Sequence, residues 1–395
     1  MIENYNISIV GQHSYCASGG TATHPTEIAR VLSKKNKVFF VTTCSRKKVV
    51  YENDNLIIYM EKAINHGKTF KKIKRAYSIR NNVDLFHIHD FRSGLLGVIE
   101  PKRPIILTVH GYITETTNKG SLLYRIFLKL MKVSTKRADA VIAVDKTIYN
   151  WLEHEIGCET DRLYYIPNGV DVNKFSPSVD GSEVREVYGI SNTDKLIFSA
   201  RHFVPKNAVE YTIKAMPIIL KVHPNAKLML AGEGPLEDKL KILVRKLDLN
   251  ENVIFCGVIS YDSIPKYYAA SDVIVNSFTH ISGVEEFETS SLLDAMENGR
   301  PIGTSITTLE ALSIGKPVIT PTVGGIQKEI SDREIGILLP DKDPKALADA
   351  CLHILDDQKL ANRLGRNARE YIVANRSWDK IVEQLSEVYT TVLEK

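Results

Sequence analysis

Short apolar, β-branched runs alternate along the chain with longer stretches whose apolar residues recur every three or four positions. In the first half the runs are Ile7–Val10, Val38–Val41, Leu85–Ile88, Ile105–Val109 and Ala140–Ala143. Each is apolar almost without interruption, which predicts strands buried on both faces, as in a parallel sheet. Helical patterns fall between them, over Pro25–Ser33, Thr69–Ile79, Leu122–Lys136 and Lys146–Glu155. The alternation then restarts with runs at Leu196–Ala200, Lys227–Ala231, Val253–Phe255, Val273–Val275 and Pro317–Thr320, and helices over Ala208–Lys221, Pro235–Lys246 and Pro344–Leu355. Two successive β/α sets predict an α/β protein of two Rossmann-like, doubly wound parallel-sheet domains. Turn formers at Pro167-Asn168-Gly169 and Phe175-Ser176-Pro177 put the join near residues 168–190. The expected domains are therefore 1–175 and 185–376, with a terminal amphipathic helix over 377–395. Ligands of open α/β sheets bind at the carboxyl ends of strands, so residues just after strands are the candidates for chemistry, in a cleft between two facing domains.

Composition narrows the class. Of 395 residues, 44% are apolar and 25% charged, ordinary values for a soluble globular protein. Cys16, Cys44, Cys158, Cys256 and Cys351 are scattered and form no CxxC pair, which argues against a disulfide framework or zinc knuckle and for a reducing compartment. No apolar run reaches the roughly 18 residues of a membrane span, and the N-terminus lacks a signal-type pattern. A cytoplasmic protein is expected, free or peripheral on the inner face of the membrane. Charge is uneven: residues 1–180 hold 26 Lys and Arg against 17 Asp and Glu, the remainder 25 against 30. The excess is partly concentrated in residues 68–75 and in Leu122–Arg137. The latter carries Leu122, Leu123, Ile126, Phe127, Leu130 and Met131 at helical spacing, among Arg125, Lys129, Lys132, Lys136 and Arg137. Such a segment either meets an anionic membrane or acceptor, or buries its apolar stripe and wets its charges.

Arg201 and Lys206 follow the Leu196–Ala200 run directly. Two cations at a strand end suit a diphosphate, Arg through forked hydrogen bonds and Lys as a point charge, although a solvated loop would look the same. Thr304–Leu312 reads as a helix start, where backbone amides make an anion site and Glu310 lies within reach of ribose hydroxyls. The plain alternative is a capping box, Thr307 as N-cap and Glu310 three residues on. Gly19-Gly20 precedes the first helix and allows a ligand close to the backbone. His110 ends a predicted central strand. His87 and His89 share one face and are assigned to packing, because no third ligand accompanies them. Asp341-Lys342-Asp343 is followed at once by Pro344, so Asp343 is expected to cap a helix rather than hold a cation. Gly232-Glu233-Gly234-Pro235 lacks the spacing of a dinucleotide fingerprint and has no P-loop lysine, so neither a nicotinamide cofactor nor ATP is favoured.

Taken in order, Ile166-Pro167-Asn168-Gly169-Val170-Asp171, the Arg201…Lys206 pair, Ala231-Gly232-Glu233-Gly234-Pro235 and Leu309–Ile319 resemble the retaining GT-B glycosyltransferases of family four, whose relatives include phosphatidylinositol mannosyltransferases. The likeness extends from Gly19-Gly20 to the Trp378 region. It implies transfer of a sugar from a nucleotide-diphosphate sugar to an acceptor that the sequence does not name, by a hexosyltransferase acting with retention. It also implies that Arg201 and Lys206 bind the donor diphosphate, with Gly20 and the amides of Thr307, Thr308 and Leu309. Glu310 would bind ribose, the backbone of Gly257, Val258 and Ile259 would read the base, and His110 would lie near the transferred sugar. The helix from about Trp378 would cross back onto the first domain. No divalent metal, other cofactor or nucleic-acid partner is expected.

One departure stands out. The family's Glu-x7-Glu motif would place a glutamate eight residues before Glu310, where Ile302 stands. Residues 286–302 read like a second copy of 302–318, and there Glu286 and Asp294 keep both carboxylates. The downstream copy is favoured as the donor site, because it leads properly into Val323-Gly324-Gly325. Two rivals remain at this point: a sugar-nucleotide epimerase of the same form, and a degenerate non-catalytic subunit.

Overall fold

The computed structural model describes residues 2–11, 20–44, 48–62, 68–100, 102–111, 122–277, 305–322, 326–340 and 342–394. Its strands, in chain order, are β1 (Asn6–Val10), β2 (Lys37–Cys44), β3 (Lys48–Asn53), β4 (Leu56–Lys62), β5 (Leu85–Ile88), β6 (Ile105–Val109), β7 (Ala140–Ala143) and β8 (Leu163–Tyr165) in a first sheet. A second sheet holds β9 (Leu196–Ala200), β10 (Lys227–Ala231), β11 (Val253–Gly257), β12 (Val273–Val275), β13 (Val318–Pro321) and β14 (Ile337–Leu339). The chain divides into two compact units, Met1–Gly169 with Trp378–Lys395, and Val170–Ser377.

The first sheet runs β3-β4-β2-β1-β5-β6-β7-β8 and is parallel except for the β3–β4 hairpin. The second is wholly parallel in the order β11-β10-β9-β12-β13-β14. Counted from its own first strand this is 3-2-1-4-5-6, the doubly wound Rossmann order. The expected α/β class and the ten expected strands are all present. Four strands escaped the pattern, and each is an edge or near-edge element. β3 is almost wholly exposed and carries Lys48 and Glu52, so it shows no two-faced burial; charge on such an edge discourages pairing with other chains. β4 alternates, while β8 and β14 are three residues long and only partly buried.

Central strands bury nearly every side chain, as Ile7, Ile9, Leu85, Ile106 and Ile142 do in the first unit. The helix Trp378–Leu393 closes that core: Trp378, Ile381, Val382, Leu385 and Tyr389 pack among the same residues. It also carries a polar tie. Tyr389 Oη lies 2.6 Å from His87 Nδ1, and Thr108 Oγ1 lies 2.7 Å from His87 Nε2, all of them buried. Both ring nitrogens of His87 are thus satisfied, which gives it the packing role expected of it. Cys44, Cys158, Cys256 and Cys351 are free thiols, and among the described residues no helix is long and apolar enough to cross a membrane.

Replacing Tyr389 by Phe leaves a buried His87 nitrogen without its partner, a loss of about 1–3 kcal/mol. Urea unfolding followed by tryptophan fluorescence should show the lower midpoint in Tyr389→Phe; equal midpoints would mean that the hydroxyl ties nothing down.

Candidate functional site

In the second unit the winding direction reverses between β9 and β12, the place where doubly wound sheets open a crevice at their carboxyl edge. Arg201 follows β9 at this point. Its amide donates to Ala231 O at 2.9 Å, and its guanidinium is turned inward. Nη1 donates to Ser305 Oγ at 3.0 Å and Thr307 Oγ1 at 3.3 Å, and Nη2 to Ser277 O at 3.1 Å, just beyond β12. Burial lowers its pKa to about 9, so it keeps its charge at neutral pH. The glycine turn after β10 makes this position reachable. Gly232 has φ 137°, and a Cβ there would lie 2.0 Å from the carbonyl oxygen of Arg201.

Lys206 sits on a single helical turn, Pro205–Asn207, and is half-buried. It lines an open cavity of about 620 Å³ with His202, Asn207, Glu233, Gly234 and Glu237. The two cations therefore have different neighbours, Arg201 the segment 305–307 and Lys206 the turn after β10. Gly257, in the left-handed region at φ 65°, and Val258 are exposed at the end of β11, with Ile259 half-buried beside them.

The helix Ile306–Ser313 has Ser305 at its N-cap position, two residues before the expected Thr307 and without a side-chain cap hydrogen bond, so the Thr307–Glu310 capping box does not form. Thr307 instead contributes its hydroxyl to Arg201 and to Ser305 Oγ, the latter at 2.6 Å. The earlier start also changes which amides face outward. Those of Thr308 and Leu309 both point to Ser305 O, at 3.1 and 3.3 Å, which leaves Ile306 and Thr307 as the first amides of the helix mouth. Thr308 Oγ1 accepts from Asn276 Nδ2 at 3.0 Å.

Glu310 is buried one turn inside. Tyr268 Oη lies 3.4 Å from both Glu310 Oε2 and Thr307 O. Burial pushes the Glu310 pKa up to about 8, against the smaller lowering effects of the Tyr268 hydrogen bond and the Lys174 charge, so the carboxyl is mostly protonated at pH 7. Asp343 caps the helix Pro344–Asp356, accepting from Ala346 N at 2.9 Å. Glu286 and Asp294 of the upstream copy lie outside the described residues.

In the first unit His110 follows β6 and His89 follows β5, with His89 Nδ1 and His110 Nε2 3.0 Å apart. Gly20 opens the helix Gly20–Leu32, which also carries His24. His24 Nδ1 lies 2.8 Å from Asn168 Oδ1. One ring nitrogen from each of His24, His89 and His110 falls within 4.8 Å of the other two. Sequence spacing offers His89 no third ligand; folding brings two neighbours to it. No local signal marks His24, which lies 65 positions from His89 in the sequence. Burial lowers the His24 pKa to about 4 and that of His89 well below the usual range, with nearby imidazoles adding to the effect at His89. Both are neutral at pH 7.

A family model described as Glycosyl transferases group 1 matches residues 180–371, and one described as Glycosyltransferase Family 4 matches residues 18–174. The chain thus carries a Glycosyltransferase Family 4 domain followed by a Glycosyl transferases group 1 domain. N-acetyl-alpha-D-glucosaminyl L-malate synthase of Bacillus anthracis is 25% identical over 97% of both chains. UDP-Gal:alpha-D-GlcNAc-diphosphoundecaprenol alpha-1,3-galactosyltransferase of Escherichia coli is also 25% identical, over 98% of this chain and 89% of that one. Sucrose-phosphate synthase from Thermosynechococcus elongatus shares the fold, with TM-score 0.77 and 21% identity over 99% of this chain and all of that one. The glycosyltransferase is thus a GT-B protein in fold, and the epimerase reading has no support among these matches.

The buried carboxyl of Glu310 gives the transferase a pH signature. Its pKa lies above the value of about 4.3 usual for an unfolded chain. Between there and about pH 8 the folded protein holds a proton that the unfolded chain has lost, so this group's contribution to stability falls as pH rises. Glu310→Gln should flatten the decline in unfolding free energy across that window. Parallel curves for the two proteins would show that Glu310 ionises normally.

Proposed function

We propose that this glycosyltransferase moves a hexose from a nucleotide-diphosphate sugar to its acceptor with retention, and that the second unit holds the donor. The observation that carries the reading is the placement of the Arg201 guanidinium at the mouth of the helix Ile306–Ser313. A buried cation beside helix amides that have no partner among the described residues makes an anion site. Arg201 and the amides of Ile306 and Thr307 would hold one part of the diphosphate, and Lys206, from its open cavity, would meet the other. Glu310 would bind the ribose hydroxyls and the backbone of Gly257–Ile259 the base. The name of the E. coli relative specifies UDP-Gal, which supports a nucleotide-diphosphate donor.

No covalent enzyme intermediate enters this scheme. The bond from the anomeric carbon to the phosphate oxygen breaks as a bond to the acceptor hydroxyl forms on the same face. A leaving phosphate oxygen takes the acceptor proton. Arg201, Lys206 and the helix mouth stabilise the charge that grows on the diphosphate, and no added divalent ion is required. His110 would lie near the transferred sugar, as the family resemblance implies.

Lys206→Ala and Arg201→Ala should each weaken nucleoside-diphosphate binding at least tenfold while leaving nucleoside binding nearly unchanged, since a hydrogen bond to a charged group is worth about 1.5–3 kcal/mol. Calorimetry with both ligands checks this. Equal losses for the two would argue against a diphosphate site. Firm diphosphate binding with no turnover of any nucleotide sugar would favour the non-catalytic subunit.

A second feature favours an acceptor at an anionic membrane. On the helix Leu122–Arg137, Tyr124 and Met131 are buried, but Leu122, Leu123 and Ile126 are 73, 48 and 46% exposed beside Arg125, Lys129 and Lys132. The stripe is therefore only partly core. Phe70, 71% exposed on the basic helix Lys68–Ser78, adds another apolar group. Each basic side chain near an anionic surface contributes about 1 kcal/mol. The protein should float with anionic vesicles at low salt and be released at high salt or from neutral vesicles. Absence of flotation in every condition would assign the patch to ordinary solvated surface.

A further inference from the structure

Only His110 of the histidine cluster enters the transfer reaction described above, and His24 and His89 have no part in it. The geometry points to a site at His24, His89 and His110 for one divalent transition ion of the zinc class. The three ring nitrogens already lie within 4.8 Å of one another. Within the cluster, His89 Nδ1 and His110 Nε2 are 3.0 Å apart. That is close to the separation of about 3.3 Å expected between two nitrogens bound at about 2.0–2.1 Å in a tetrahedral site. Small ring rotations would bring in the third.

The state of His24 suits a ligand. Its Nδ1 faces the amide oxygen of Asn168, which can only accept, so Nδ1 carries the proton and Nε2 keeps its lone pair. A carbonyl oxygen fixing the outer nitrogen of an imidazole is the usual arrangement behind a metal-bound histidine. His89 supplies an independent sign. It is 1% exposed, and its Nε2 has no hydrogen-bond partner among the described residues. A buried polar atom left in this way marks a group whose bonding the protein alone does not complete. Whichever nitrogen His89 turns toward an ion, coordination recruits a ring that the protein holds with an unsatisfied atom.

The ligand type selects the ion. Three imidazoles, with no carboxylate in the group among the described residues, suit zinc, copper, nickel or cobalt, whereas magnesium and calcium require oxygen ligands. Three protein ligands leave a fourth position for water. The site shares His110 with the proposed transfer scheme, but its existence does not depend on the role proposed for His110 there.

The test uses tag-free, full-length protein stripped of metal and titrated with Co²⁺, whose visible absorption reports low-coordinate histidine ligation. One equivalent per chain should bind, be displaced by one equivalent of Zn²⁺ and be indifferent to excess Mg²⁺. His24→Ala should abolish the spectrum. Asn168→Ala, which leaves all three ligands in place, should weaken binding about 10–100-fold. Circular dichroism and thermal unfolding establish that each variant is folded. A wild-type chain that takes up no stoichiometric Co²⁺, or a folded His24→Ala protein with the unchanged spectrum, would overturn the proposal.

Discussion

A guanidinium that is only 9% exposed must find acceptors for its N–H groups inside the protein, and Arg201 finds them in segments far apart in the chain. Ser277 follows β12 by two residues, while Ser305 and Thr307 open the helix before β13. One side chain thus ties the end of β9 to the end of β12 and to the helix that leads into β13, at the point where the sheet reverses its winding. Removing an acceptor would leave a buried charge incompletely compensated, which is far costlier than losing an exposed ion pair. The same inward position makes the cation effective toward an anion, because little water screens it.

Backbone geometry allows this placement. The turn after β10 passes so close to Arg201 and Phe203 that neither Gly232 nor Gly234 has room for a side chain; a Cβ on Gly234 would stand 2.5 Å from Phe203 O. That turn also receives the Phe203 amide at Glu233 O, 2.9 Å away, and so aligns the β9 end with the cavity holding Lys206. Behind this edge lies Glu310, whose pKa burial pushes up to about 8 and whose carboxyl is touched by Tyr268. A neutral carboxyl can donate as well as accept.

The first unit solves a different problem. Four histidines, His24, His87, His89 and His110, crowd the carboxyl ends of its strands and the adjoining helix, with ring centroids of His87 and His89 4.2 Å apart. Such a group is tolerable because burial keeps the inner rings uncharged. His87 is wholly absorbed into structure through Thr108 and Tyr389, whereas His89 retains an unsatisfied atom. The difference separates a core histidine from one with bonding capacity to spare.

The sequence by itself determined the central strands, the α/β class, the two successive windings and the position of Arg201 and Lys206 at a strand end. Two-faced burial and helical spacing are written locally, in runs of five to fifteen residues. The same holds for Asp343, whose cap is announced by the proline beside it. The exposed edge strand β3 and the short β8 and β14 left no such trace, since each buries too little to impose a pattern. Only the tertiary structure decided that Ser305 rather than Thr307 begins its helix, that the Thr308 and Leu309 amides are committed within it, and that His24 stands beside His89 and His110. It also set the protonation of Glu310. These outcomes depend on burial and on contacts between residues tens to more than a hundred positions apart, for which one-dimensional periodicity carries no term.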